Sequence, residues 1–290
     1  MSNYSIRDLE QLSGIKAHTL RIWEQRYGIL NPDRTDTNIR TYNDNDLKLV
    51  LNIALLKDHD HKISKISKMG LTEMSEEVMK ISDKFLNYPD QIHSLTISML
   101  DLDEERFEQI IDTNTKQFGF ENMMINIIYP FLSRIGSLWI TGSIGPAQEH
   151  FMSNLIRQKL IVAIAGLPAT LRPDHKKILL FLPEGEWHEI GLLFAHYIFK
   201  SRKNKVIYLG QSLPFNEVEF ACNHHHPDHI FVLITTVPGM DEIQHYVNKL
   251  CSRFPETKIL LTGYQVVGQD IETPENCQII NNVRELLEVS

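Results

Sequence analysis

A helical N-terminal half followed by a doubly wound parallel α/β sheet is the fold class that the 290-residue sequence predicts, and three observations predict it. Apolar residues recur at helical spacing as far as Pro168. After Pro173, short apolar runs alternate with stretches of helical length, the rhythm of βαβ units. The chain is also longer than one ordinary core accommodates and suits units of roughly 70 to 120 residues.

Ser5 is the candidate N-cap of a first helix from Ile6 to Leu12, whose Ile6, Leu9 and Leu12 share a face, and Gly14 ends it. A second helix, from about Ala17 to Tyr27, buries Leu20 and Trp23 and leaves Lys16, Thr19, Arg21 and Arg26 polar, which is helix-turn-helix spacing. From Asn31 to Tyr42 the composition turns to Pro, Asp, Thr, Asn and Arg and predicts a small hairpin wing carrying Arg34 and Arg40. Asn43 or Asp44 caps the next helix, which buries Leu47, Leu51, Ala54 and Leu55, and Ile63 and Ile66 begin a further turn. The first domain is therefore placed at 1–72.

Residues 75–170 predict a four-helix bundle, with helices near Ser75–Asn87, Asp90–Phe118 with a break near Asp101, Phe120–Trp139 and Ala147–Leu167. A third domain, 175–290, takes strands at Lys177–Leu182, Lys205–Leu209, Ile230–Ile234, Lys258–Leu261 and Cys277–Ile280, with helices such as Glu189–Lys200 and Asp241–Phe254 between them. Sheets of this kind bind ligands at the carboxyl ends of their strands.

A net charge of −8 argues against a protein that coats nucleic acid along its length. Residues 1–70 hold 11 Lys+Arg and 9 Asp+Glu, a net of +2, and the other 220 residues carry −10, so DNA contact belongs at the N-terminus. Cys222, Cys251 and Cys277 form no CxxC pair and read as buried thiols. With no run of about 18 apolar residues and a polar start from Met1 to Glu10, a cytoplasmic location without a membrane partner is expected. His224, His225 and His226 diverge by about 100° per residue on a helix and read as a solvated helix end, and Asp58-His59-Asp60-His61 reads as a polar loop.

Ser5-Ile6-Arg7-Asp8-Leu9, Gly14-Ile15, Thr19 to Gly28 (TLRIWEQRYG), Pro32 with Arg34, and Arg40-Thr41-Tyr42 together closely resemble the MerR-type winged-helix domain over about 70 residues. The resemblance implies a double-stranded DNA operator as partner. The second helix enters the major groove with Lys16, Thr19, Arg21 and Arg26, and the wing lies on adjacent phosphates with Arg34, Arg40 and Tyr42.

In the loop after the first strand of the third domain, Glu186-x-His188-x-x-Gly191 is similar to the Asp-x-His-x-x-Gly signature of cobalamin-binding domains and implies a flavodoxin-like sheet. The resemblance gives His188 the lower axial position on cobalt, Glu186 its other ring nitrogen, and Gly191 a close approach of helix to ligand. Where that family has Ser-x-Leu this chain has Leu233-Ile234-Thr235-Thr236, so a threonine hydroxyl such as that of Thr235 stands in. Its Gly-Gly is here Thr262-Gly263, with Gly263 beside the path of the nucleotide tail.

Trp139 followed by Glu149-His150, in the setting Ile135-Gly136-x-x-Trp139-x-x-Gly142, resembles the helical cap of light-sensing cobalamin-dependent repressors of carotenoid synthesis. It implies that Trp139 shields the upper face of adenosylcobalamin, Glu149 contacts its adenosyl group, and His150 takes the upper cobalt position once that group is lost. On this reading cobalamin, clamped between bundle and sheet, controls self-association into a dimer or larger assembly and thereby operator binding. Two other readings stay open: a cofactor-free regulator whose C-terminal half dimerises or senses a partner, and a corrinoid methyl-transfer protein. The latter lacks the roughly 250 residues that a catalytic barrel requires.

Overall fold

The structure, a computed structural model, describes residues 4–35, 37–84, 88–140 and 144–290, without the side chains of residues 79, 82–84, 137–140, 240 and 241. The chain divides into two compact units, Met1–Leu155 and Ile156–Ser290.

In the first unit, α1 (Ile6–Ser13) begins on a capping box: the Asp8 N–H donates to Ser5 Oγ at 3.3 Å and the Ser5 N–H donates to the Asp8 carboxylate at 2.7 Å. Gly14 closes it at φ 74° and Gly28 closes α2 (Ala17–Tyr27) at φ 62°, both left-handed C-caps for which glycine has no steric cost. The wing is the antiparallel pair β1 (Asp33–Arg34) and β2 (Arg40–Thr41). Asn43, rather than Asp44, caps α3 (Asp44–Asp58) by accepting the N–H groups of Asn45 and Asp46.

Helix α3 departs from the one-faced pattern the sequence predicts. Leu47, Val50, Leu51, Ile53, Ala54, Leu55 and Leu56 are all buried. The helix packs on α1, on α4 (Ile63–Ile66), on α5 (Leu71–Lys84) and on α6 (Tyr88–Asp101), so it belongs at once to the helix-turn-helix core and to the core of the following helices. A helix apolar all round is the signature of one enclosed on all sides. The first expected domain and the second as far as Leu155 thus share one compact unit, and residues 156–170 fall in the other.

The break expected near Asp101 divides the Asp90–Phe118 stretch into α6 and α7 (Glu104–Phe118), where Leu102 turns at φ 52° and Asp103 caps the second helix by accepting the Arg106 N–H. The next, expected as one, runs as α8 (Phe120–Met123), a π-helical turn over Met124–Ile128, and α9 (Tyr129–Ile140). Its buried residues Met123, Ile127, Phe131 and Ile135 repeat every four. That period exceeds the 3.6 of an α-helix, and a turn of wider π type keeps them on one side. Helix α10 (Pro146–Ala165) follows.

The second unit holds β3 (Lys177–Pro183), α11 (Glu189–Ser201), β4 (Lys205–Leu213), α12 (Phe215–His225), β5 (His229–Leu233), α13 (Met240–Arg253), β6 (Lys258–Thr262), β7 (Cys277–Ile279) and α14 (Val283–Val289). All strands are parallel, in the order β4-β3-β5-β6-β7. That is the flavodoxin-like doubly wound order. Leu179, Phe181, Val232 and Leu261 meet Val218, Cys222, Val247 and Leu250 of α12 and α13, while α11 covers the opposite face. Burial on both faces explains why these strands read as continuous apolar runs. Cys222 and Cys251 are buried, Cys277 is half-buried, and all three are free thiols. Among the described residues, no helix is long and apolar enough to cross a membrane.

Candidate functional site

Helix α2 buries Leu20 and Trp23 and turns His18, Arg21, Ile22, Gln25 and Arg26 outward. Arg21, Arg26 and Lys16 are exposed, and Thr19 is half-buried beside them. Lys16 pairs with Glu10 at 3.0 Å in a solvated contact that a phosphate can displace. At the wing tip the exposed Arg34 donates to Asn38 Oδ1 at 2.8 Å, which holds the hairpin end.

One expected DNA contact is corrected, and a second is engaged within the domain. Tyr42 is only 1% exposed: it pairs with Tyr4 in an isolated antiparallel bridge, so its ring packs inside and cannot reach a phosphate. Arg40 is half-buried, and its Nε donates to both carboxylate oxygens of Glu24 at 3.0 and 3.1 Å. It ties the wing to α2. Sequence reasoning missed Tyr4, buried with its hydroxyl donating to Asp44 Oδ1 at 2.8 Å, since a lone tyrosine near the N-terminus carries no periodic signal. It also read His59 as part of a polar loop, whereas His59 caps α3 and its Nε2 lies 2.6 Å from the buried Asp90 carboxylate.

The second constellation occupies the carboxyl end of β3. Glu186 is 0% exposed and both its oxygens are saturated with donors. Oε1 accepts the N–H groups of Trp187 and His188, at 2.9 and 3.1 Å, and lies 2.5 Å from His188 Nδ1. Oε2 accepts the N–H groups of Thr235, Thr236 and Val237 and the Thr236 hydroxyl, at 2.6 to 3.3 Å. Burial alone would raise this carboxyl's pKa, but the His188 ring and the surrounding N–H groups outweigh it and hold the pKa far below the usual carboxylate range. This buried carboxylate thus fixes Nδ1 of a histidine whose side chain is 57% exposed. The extra methylene of Glu over Asp lets one carboxylate grip the β3 loop and the β5 loop together.

The remaining predicted residues fall out as follows. Thr235 meets Glu186 through its backbone N–H, and the hydroxyl on that carboxylate belongs to Thr236. A Cβ on Gly191 would lie 2.4 Å from Leu233 Cδ1, so the glycine brings α11 onto β5, a packing role distinct from the approach to ligand that the motif implies. Gly263, at φ 107°, has the Ile234 carbonyl oxygen 2.3 Å from where its Cβ would stand, so only glycine fits. The Thr262 hydroxyl donates to the Ile280 carbonyl at 2.7 Å. Trp187 and Tyr264 stand exposed on the loops at this end of the sheet.

On α10, Glu149 Oε2 lies 2.7 Å from His150 Nδ1, with the imidazole 70% exposed. Trp139 falls in α9, but its side chain lies outside the described residues, as does Gly142. Among the described residues there is no cluster of three metal-ligating side chains, and a single imidazole oriented by a carboxylate is the donor set a corrin metal needs, since the corrin supplies the other nitrogens. The residues present fit that group.

Residues 4–70 match the model of the MerR HTH family regulatory proteins, and residues 91–163 match the B12 binding domain. The chain is a DNA-binding regulator of MerR type that carries a B12-binding domain. It is homologous to the HTH-type transcriptional repressor CarH of Myxococcus xanthus, with 28% identity over 81% of this chain and 79% of that relative. A second homologue is the repressor CarA of the same organism, with 26% identity over 86% of this chain and 84% of that relative. Both are repressors, in keeping with a regulator and not with the methyl-transfer reading. The solved monomethylamine corrinoid protein of Methanosarcina barkeri shares the fold, at a TM-score of 0.52 and 14% identity over 66% of this chain and 92% of its own.

Proposed function

We propose that this regulator senses cobalamin through His188 and that the state of the cofactor sets its assembly and its grip on an operator. The observation that carries the reading is the Glu186–His188 pair: a buried carboxylate that fixes one ring nitrogen of an imidazole at the ligand-binding end of a flavodoxin-like sheet. With Nδ1 so engaged, Nε2 is the ring nitrogen that would hold cobalt, and the hydrogen bond would raise its basicity as a ligand. The bound cofactor would supply a cobalt–carbon bond that light breaks. On the chain's side, Trp139, Glu149 and His150 are the residues that the likeness to light-sensing repressors assigns to the upper axial ligand. Contacts present in only one state of the cofactor are what allow a ligand to shift an equilibrium between assemblies. Arg21, Arg26, Arg34, Lys16 and Thr19 then meet the DNA.

The test mixes the full chain with adenosylcobalamin in darkness and follows absorbance and molecular mass before and after illumination. Retained chromophore, a change of mass in light and an altered spectrum in His188→Ala are expected. A protein that elutes colourless overturns the cofactor reading, and a His188→Ala spectrum identical to wild type overturns the axial role.

A further inference from the structure

Glu189, which the sequence marks only as the first residue of a helix, is 9% exposed and fully engaged. Its Oε1 accepts the Tyr208 hydroxyl at 2.8 Å. Its Oε2 accepts Gln211 Nε2 at 2.9 Å and Arg157 Nε at 2.7 Å. Tyr208 and Gln211 lie on β4, Arg157 on α10, and His196 of α11 stacks on the Tyr208 ring at 5.0 Å. The charged arrangement agrees with its neighbours: burial and the Glu189 carboxylate together push the Tyr208 hydroxyl well above its ordinary pKa, which keeps it a donor.

The placement is informative because β3 lies between β4 and β5. Glu186 binds the His188 loop to the loop after β5, and Glu189 binds it to β4 on the other side. Further bonds repeat the second attachment: the Ser212 N–H donates to the Glu186 carbonyl at 3.1 Å and the Gly185 N–H to Ser212 Oγ at 3.0 Å. His188 is therefore flanked by two buried carboxylates with opposite attachments. Glu186 orients the ring directly. Glu189 fixes the backbone that follows it, and Arg157 makes that fixing depend on α10, the helix that also carries Glu149 and His150.

We propose that Glu189 is a positioning residue for His188, and that the Arg157–Glu189 ion pair makes the axial imidazole respond to movement of α10. The inference rests on the cobalamin reading above. It adds a route by which a change on the helix reaches the lower axial ligand, through a charge-assisted bond roughly twice as strong as a neutral one.

The test uses the full chain labelled with 15N-histidine and loaded with cob(II)alamin, whose electron spin resonance shows a doublet splitting only when a labelled imidazole is axial. Wild type is expected to show the doublet and His188→Ala to lose it. Glu189→Gln and the half-exposed Arg157→Met are expected to retain the corrin while the doublet fraction falls at least three-fold. Arg157→Lys, which restores a cation, should recover part of it. No doublet in wild type sinks the cobalamin reading itself. A doublet in wild type that His188→Ala removes, but that Arg157→Met and Glu189→Gln leave at full intensity, overturns this inference alone. Should Glu189→Gln fail to fold, Arg157→Met and Tyr208→Phe decide it.

Discussion

His93 lies on α6 among Asp90, Gln91 and Ser94, all buried, and its Nδ1 has no hydrogen-bond partner among the described residues. Burial, reinforced by the Arg134 charge, lowers its pKa from 6.5 to about 4, and the Asp90 charge opposes this only in part. The folded chain thus refuses a proton that the unfolded chain accepts. Above about pH 6.5 the residue costs nothing. As pH falls toward 4, stability is lost at up to about 1.4 kcal/mol per pH unit. His93→Gln should therefore lose about 2 kcal/mol less than wild type between pH 7 and pH 4.5, measured as urea unfolding at the two pH values. Equal losses would mean that His93 is protonated in the folded state. Glu186 shows the opposite sign, its contribution present above the ordinary carboxylate range and lost on acidification below it.

At the scale of elements, the two glycines of the B12-like motif separate by what a methyl group would strike. On Gly263 it meets the backbone of Ile234 at 2.3 to 2.8 Å, which no rotamer relieves, and φ is 107°. On Gly191 it meets the far end of the Leu233 side chain, which can swing away. Gly263→Ala should cost roughly 2 to 4 kcal/mol and Gly191→Ala under about 1 kcal/mol in chemical denaturation. The reverse order would show that the β5 and β6 loops are looser than their geometry. Caps and periods were legible in the sequence: Ser5 and Gly14 bound α1 where expected, α2 spans Ala17–Tyr27 as expected, and the strand positions hold because apolar runs buried on both faces carry a strong signal. The extension of β4 through Gln211 to Leu213 was not legible, since polar residues and the register shift near Gly210 disguise it. In the candidate site the Glu186–His188 pair could be read from a contiguous motif. Glu189, Tyr208, Gln211 and Arg157 could not, because their meeting depends on tertiary packing across 54 positions of sequence.

The whole first unit raises the question of whether its DNA-binding head is a module at all. The family match and the turn composition set an edge near residue 70, yet α3 is buried on every side and packs on helices from both sides of that edge. Polar contacts cross the edge as well. His59 meets the buried Asp90, Lys48 pairs with Asp101, and Gln148 at the first turn of α10 donates to Asp44 Oδ1 at 3.4 Å. Asp44 is the residue that holds Tyr4, which in turn pairs with Tyr42 beside the wing. Cutting the chain at residue 72 would expose the outer apolar side of α3 to water, at about 25 cal/mol per Å², and leave His59 without its carboxylate. We therefore expect a fragment of residues 1–72 to lack a cooperative thermal transition by circular dichroism and to self-associate. The full chain should melt cooperatively and bind duplex DNA with a salt dependence set by its exposed cations. A monomeric fragment that unfolds cooperatively and matches the full chain's salt slope would show that the head is autonomous. The packing of α3 on the following helices would then be dispensable for DNA binding.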